Sequence, residues 1–211
     1  MRKPFFLFLL LLMTVASLQA QDFSSAPLSD SLFARMQGLS YPKGCSVARS
    51  ELRHVRVLHV DAEGKVHKGE LVCNKAIAQD LVDIFRKLYE ARYPIEKIRL
   101  IDEYGADDEL SMRDNNSSSF CYRTVSGTKK LSKHAMGMAI DINTRYNPYV
   151  RKGKDGRQLI SPDNGRAYAD RRKSYPYKIV KGDLLYRLFI QHGFRWGGNW
   201  KTMKDYQHFE K

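Results

Sequence analysis

The sequence predicts an α+β fold, a small antiparallel sheet with packed helices. Three observations point to it: two strand-like runs around a turn, one stretch of helical period, and a short apolar run interrupted by a carboxylate. Val55 to Val60 and Val66 to Val72 are rich in β-branched residues, and Asp61-Ala62-Glu63-Gly64 supplies turn chemistry between them, so they read as a hairpin. Asn74 is a good N-cap, and Ala76, Ile77, Leu81, Ile84, Phe85 and Leu88 then recur at helical spacing up to Arg92, where Pro94 stops the helix. Ile140 and Ile142 flank Asp141, so on a strand the carboxylate points away from both.

From the start of the chain, Arg2 and Lys3, the apolar run Phe5 to Val15 and the small residues Ala16 to Ala20 read as a secretory signal over residues 1–20. The apolar run is too short to span a bilayer comfortably. No Cys follows it closely enough for lipid attachment, so no stable membrane anchor is expected after cleavage. Residues 21–50 show little periodicity and read as an irregular lead with a short helix near Asp30 to Gln37. Residues 51–211 read as one domain, long enough to bury a single core.

Ile98 to Tyr104 reads as a buried strand. Glu103 to Glu109 is acidic and turn-like, but it lacks the ligand alternation of an EF-hand and reads as a solvated loop. Asp114 to Ser119 is a polar loop leading into Phe120 to Val125, which alternates as a strand. Residues 143–177 form a Gly- and Pro-punctuated insertion, and loops of that length are usually functional; this one can roof a cleft. Gly182 or Asp183 opens a helix carrying Leu184, Leu185, Leu188 and Phe189, and Gly193 ends it. Phe194 to Trp196 is the next strand expected. Trp196 and Trp200 read either as cleft walls or as core.

The formal charge is +13 and falls to +11 once Arg2 and Lys3 leave. Such a chain is drawn to anionic polymers. No nucleic-acid motif is present and the basic residues are scattered rather than held on one helix face, so nucleic acid is not the expected partner. Cys45, Cys73 and Cys121 allow one bridge and leave at least one free thiol. His54, His59 and His67 fall on the hairpin without a ligand pattern that makes a second metal site the better reading.

The chemistry sits in Ser132-Lys133-His134-Ala135-Met136-Gly137-Met138-Ala139-Ile140-Asp141 and in Asp205-Tyr206-Gln207-His208. His134, Asp141 and His208 can supply two imidazoles and one carboxylate to one ion. Three such ligands with a fourth position left for water make the set of a catalytic zinc site. A carboxylate on a largely buried strand is costly unless paired or metal-bound. Asp205 lies three residues before His208, so one local turn can set it beside the bound water as a general base.

These residues, with Gly193-Phe194 and Trp196-Gly197-Gly198, resemble the zinc D-alanyl-D-alanine carboxypeptidase family, which includes vancomycin-resistance carboxypeptidases and dipeptidases and phage L-alanyl-D-glutamate endolysins. The resemblance covers roughly residues 110 to 210. It implies a Hedgehog/D-Ala-D-Ala carboxypeptidase-like zinc peptidase fold over residues 51–211. It also implies one Zn2+ on His134, Asp141 and His208, with Asp205 as catalytic base. Many relatives carry Glu at the base position. An Arg upstream of the first His contacts substrate in that family, and Arg123 is the first choice here, with Arg113 second. Asn116 and Ser132 would help hold peptide oxygens and Trp196 would line the substrate site, although Ser132 can instead orient His134.

The function so implied is hydrolysis of peptide bonds in peptidoglycan stem peptides by a monomer that is secreted or periplasmic in the bacterial cell envelope. Carboxypeptidase and endopeptidase action stay open. The rival is a non-catalytic zinc-containing cell-wall binding protein, since the Hedgehog signalling domain resembles this fold without established peptidase use; Asp205 argues for catalysis. The signal reading predicts a mature chain starting at Gln21 outside the cytoplasm. N-terminal sequencing of the fractionated protein checks it, and an intact Met1 on a cytosolic chain refutes it.

Overall fold

The computed structural model describes residues 22–211 apart from residues 126 and 154; the expected signal segment lies outside the described residues. Strand β1 (Ser24–Pro27) pairs antiparallel with β2 (Leu52–Val60), which pairs antiparallel with β3 (Val66–Asn74). The β2–β3 hairpin is the one predicted. β1 was not legible, because it is a short edge strand in a segment without alternation. The short helix α1 (Asp30–Met36) falls where expected, with Ser29 as N-cap accepting from the Leu32 amide at 3.2 Å.

Helix α2 (Lys75–Glu90) starts as its cap predicts: the Asn74 side chain accepts from the Ala76 amide at 3.0 Å. Its buried face, Ile77, Ala78, Leu81, Val82, Ile84, Phe85 and Leu88, covers the hairpin sheet. The run 98–104 corrects the sequence reading. Only Lys97–Ile98 is a strand (β4), and Ile101–Tyr104 winds into a 3-10 turn. The acidic loop is likewise partly helical, as α3 (Asp108–Arg113), with Asp107 accepting from the Leu110 amide at 3.0 Å. Its acidic start suits a helix N-terminus. Strand pairing falls on Asn116–Ser117 (β5), parallel to β4, while Phe120 to Val125 stays irregular apart from one bridge between Thr124 and Leu131.

Strand β6 (Ala139–Asp141) is the edge of a second antiparallel sheet. The insertion after it is not an open loop. Strands β7 (Tyr149–Lys152) and β8 (Gln158–Ser161) form a hairpin, and a 3-10 stretch runs over Asp163–Tyr168. Polar side chains tie the insertion down. Asn147 donates to the carbonyls of Asn143 and Tyr177 at 2.9 and 2.8 Å and accepts from the Ile179 amide at 2.8 Å. Arg171 donates to the Tyr146 carbonyl at 2.9 Å and stacks on Tyr206, 4.4 Å from the ring centroid. Helix α4 (Leu184–Gln191) opens on Asp183, which accepts from the Tyr186 amide at 2.7 Å, and Gly193 beyond it takes φ 83°.

The chain closes with β9 (Arg195–Trp196), β10 (Met203–Asp205) and β11 (His208–Glu210). β11 lies between β6 and β9, whereas β10 joins the β7–β8 hairpin. Phe209 is wholly buried, 4.4 Å from Phe189 in a stacked pair. The core joins the α2 face, the hairpin sheet, α4 and this C-terminal sheet, and a smaller cluster forms under α1 around Met36, Leu52 and Phe120. All three cysteines are free; Cys73 and Cys121 are buried, and the bridge that the count allowed is not made. Among the described residues no helix is long and apolar enough to cross a membrane.

Gly69 is where β3 presses on β4. A Cβ there would meet the Ile98 Cβ at 2.7 Å and a Val57 methyl at 3.2 Å. Gly69→Ala is therefore expected to cost about 1–3 kcal/mol, as overpacking does. Urea unfolding should show a lower midpoint at unchanged slope.

Candidate functional site

Each side chain of the site is placed by a different local device. His134 opens a 3-10 turn, His134–Met136, that Gly137 closes at φ 66°. A Cβ on Gly137 would lie 2.6 Å from the Asn74 amide nitrogen, and the Gly137 carbonyl accepts from that amide at 2.8 Å. The glycine thus lets the turn dock on the start of α2. Ser132 sits under the same turn, its hydroxyl accepting from the Ala135 amide at 3.3 Å. The hydroxyl thus braces the turn that carries His134 without touching the imidazole.

Asp141 and His208 face each other across β6 and β11 in direct register. Their neighbours Ile140 and Phe209, also paired, point into the core, so alternation drives Asp141 and His208 to the other face. His208 Nδ1 lies 2.9 Å from Asp141 Oδ1, and His134 Nε2 lies 3.2 Å from Asp141 Oδ2 and 3.1 Å from His208 Nδ1. One ligand atom from each residue falls within a 4.8 Å group, and all three residues are buried. The far nitrogens are held as well: His134 Nδ1 is 2.7 Å from the Ser119 carbonyl oxygen, and His208 Nε2 is 3.4 Å from Glu210 Oε2. A carbonyl can only accept, so His134 carries its proton on Nδ1 and turns a lone pair on Nε2 into the cluster.

The electrostatics separate the two carboxylates. Burial alone would raise Asp141, but the two imidazoles hold it well below the usual carboxylate range. Burial would lower His208, but its bonds to Asp141 and Glu210 and the nearby charge of Asp205 lift it to about 10. Asp205 has no such partners. Its Oδ1 is sealed from water and makes no hydrogen bond, although the residue as a whole is half-buried. Burial first, then the charge of Asp141, raises its carboxyl to about 7. A Cβ on Gly197 would come 2.8 Å from the Asp205 Cβ and 3.3 Å from the His208 Cβ, so a glycine is what lets the turn at 197–199 close over both.

Arg123 pairs with Asp108 at the start of α3, NH2 to Oδ2 2.7 Å, and its Nε is buried without a partner. Asp141 adds to the charges that hold it protonated. Arg113, the second choice, pairs instead with Asp163 of the insertion at 3.5 Å. Asn116 and Trp196 are spent on the scaffold. Asn116 is buried, with its amide donating to the Arg99 carbonyl and the Ser111 hydroxyl, both at 3.0 Å, and accepting from the Arg99 amide at 2.8 Å. Trp196 is buried, donates from Nε1 to the Tyr206 carbonyl at 2.9 Å and stacks on Phe209. Both are buried within the scaffold rather than presented to a substrate, unlike the roles expected of them. The aromatic beside the cluster is Trp200, 5.4 Å from the His208 ring. Ser119 and Glu210 went unnoticed in the sequence. Glu210 two residues after His208 on a strand was a readable signal; the Ser119 carbonyl was not, since a backbone group has no sequence signature.

A protein-family model described as D-alanyl-D-alanine carboxypeptidase matches residues 126–211, the stretch that carries His134, Asp141, Asp205 and His208. That match supports the family resemblance read from the residues and, at the level of the family, a peptidase. No curated protein and no solved structure is matched.

The raised Asp205 carboxyl has a consequence for the metal-free protein. An acid whose folded value lies above its unfolded one binds more protons when folded, so stability falls as pH rises from about 3.8 to about 7. His208, raised from 6.5 to about 10, continues the fall above that window. Chelator-treated protein should lose stability across the lower window, and Asp205→Asn should flatten that part of the curve.

Proposed function

We propose that this chain is a zinc-dependent peptidase of the cell envelope that hydrolyses peptide bonds in peptidoglycan stem peptides. The observation that carries the reading is a buried two-His, one-Asp cluster with an unpartnered carboxylate held near neutral beside it. The donor set suits zinc. His134 and His208 are oriented by Ser119 and Glu210 in the way that ligating imidazoles usually are. The family match over residues 126–211 is in line with a Hedgehog/D-Ala-D-Ala carboxypeptidase-like zinc peptidase fold, which we propose as part of the same reading.

His134, Asp141 and His208 would hold the ion. When bound, zinc supplies Lewis-acid polarisation of a peptide carbonyl and lowers the pKa of water. Asp205 would take the proton of the attacking water on its carboxylate and hand it to the leaving amine. A value near 7 suits both halves of that shuttle. Arg123, fixed by Asp108, offers its guanidinium to the carbonyl oxygen as negative charge develops. The +13 charge of the chain favours an anionic envelope polymer as the setting. Export to the periplasm or cell surface as a monomer completes the reading.

Metal analysis should give about one zinc per chain, lost in His134→Ala and His208→Ala. Asp205→Ala should keep the zinc and the melting temperature yet slow stem-peptide turnover about a hundred- to ten-thousand-fold. Full turnover by Asp205→Ala defeats the base assignment. A parent that holds zinc and binds peptidoglycan but cleaves nothing makes the binding-protein reading the right one.

A further inference from the structure

The insertion hairpin shares a sheet with the strand that carries Asp205. β10 pairs with β7 so that Asp205 faces Tyr149 and Met203 faces Arg151, and β7 pairs with β8 so that Tyr149 faces Ser161. Cross-strand partners and residues two apart lie on one face of a sheet. Asp205, Tyr149, Met203 and Arg151 therefore share a face, and Arg151 stands one side-chain repeat beyond Asp205, about 7 Å along the strand direction. Contacts agree with the register: the Tyr149 hydroxyl donates to the Met203 sulfur at 3.3 Å. Burial raises the Tyr149 hydroxyl most, the Asp205 charge adds to that, and the Arg151 charge opposes it, so Asp205 and Arg151 both reach it.

Arg151 is exposed and makes no ion pair among the described residues; Asp155 at the hairpin tip is turned to Arg157, and Asp205 lies one side-chain repeat away. An exposed guanidinium without an ion pair, one side-chain repeat from the general base and beside the Tyr149 hydroxyl, is placed to meet an anion on the substrate next to the bond under attack. We propose that Arg151, backed by Tyr149, is the specificity residue that selects peptides with a free carboxylate adjacent to the scissile bond. In a stem peptide that carboxylate has two sources, the C-terminus of a terminal D-amino acid or the free α-carboxylate of a D-glutamyl residue. The first gives carboxypeptidase action and the second endopeptidase action. The inference rests on the peptidase reading of the Asp205 site.

The test uses two matched pairs of stem peptides. One pair ends in D-Ala-D-Ala as the acid or the amide; the other carries an L-Ala-D-Glu bond with the α-carboxyl free or amidated. Both kcat/KM on the zinc-loaded protein and dissociation constants on the chelated protein are measured for the parent, Arg151→Gln, Arg151→Lys and Arg157→Gln. The parent should favour the acid in one pair by about tenfold or more, as expected for a charge-assisted bond. That pair identifies the carboxylate. Arg151→Gln should abolish the preference, Arg151→Lys should keep part of it, and Arg157→Gln should keep all of it. A preference that survives in Arg151→Gln, or is missing from the parent in both pairs, overturns the proposal. If the parent cleaves neither pair yet binds the acid through Arg151, the peptidase reading falls and the carboxylate site stands.

Discussion

The antiparallel pairing of β6 with β11 is the constraint on which the site depends. It joins residues 67 positions apart and sets Asp141 opposite His208. A slip of one residue would turn Asp141 and His208 into the core and Ile140 and Phe209 out of it. The aromatic stack of Phe209 on Phe189 and Trp196 makes that slip expensive, since a buried aromatic side chain is worth about 1.5–3 kcal/mol over an exposed one. The metal-type cluster is thus held in register by apolar packing on the reverse face of its own strands.

Two carboxylates of like chemistry are driven in opposite directions by their surroundings. Asp141 accepts from His208 Nδ1, lies 3.2 Å from His134 Nε2, and stays ionised. Asp205, a few residues from His208 but on a different sheet, receives no hydrogen bond at Oδ1 and feels the charge of Asp141. Pushing two titratable groups apart in this way is how one site comes to hold an ionised ligand and a base that works near neutral pH. The change of sheet between Asp205 and His208 produces the difference. It lets residues three apart in sequence occupy different electrostatic surroundings.

The insertion is built to be rigid where it meets the site. Asn147 and Arg171 donate to the carbonyls of Asn143, Tyr146, Tyr177 and Ile179, so polar bonds fasten the segment beside its own cluster of Tyr146, Tyr168, Tyr175 and Tyr177. Fully satisfied buried networks of this kind specify one geometry. What they specify is the position of β7, and hence of the side chains that flank Asp205.

The sequence by itself determined the hairpin, the capped helix α2, the helix before Gly193 and the identity of the cluster, because each is written in local period, cap chemistry or residue type. His134, Asp141 and His208 are recognisable as donors wherever they lie. The tertiary structure decided what no local pattern holds. It made Ile98 to Tyr104 a turn rather than a strand, recruited Ser24–Pro27 to a sheet edge, and turned the 143–177 segment into a hairpin that completes the Asp205 sheet. It also spent Asn116 and Trp196 on the scaffold and left the Asp205 oxygen free. Whether a polar group is consumed or available depends on which distant backbone comes to face it, and that is settled only when strands far apart in sequence find their register.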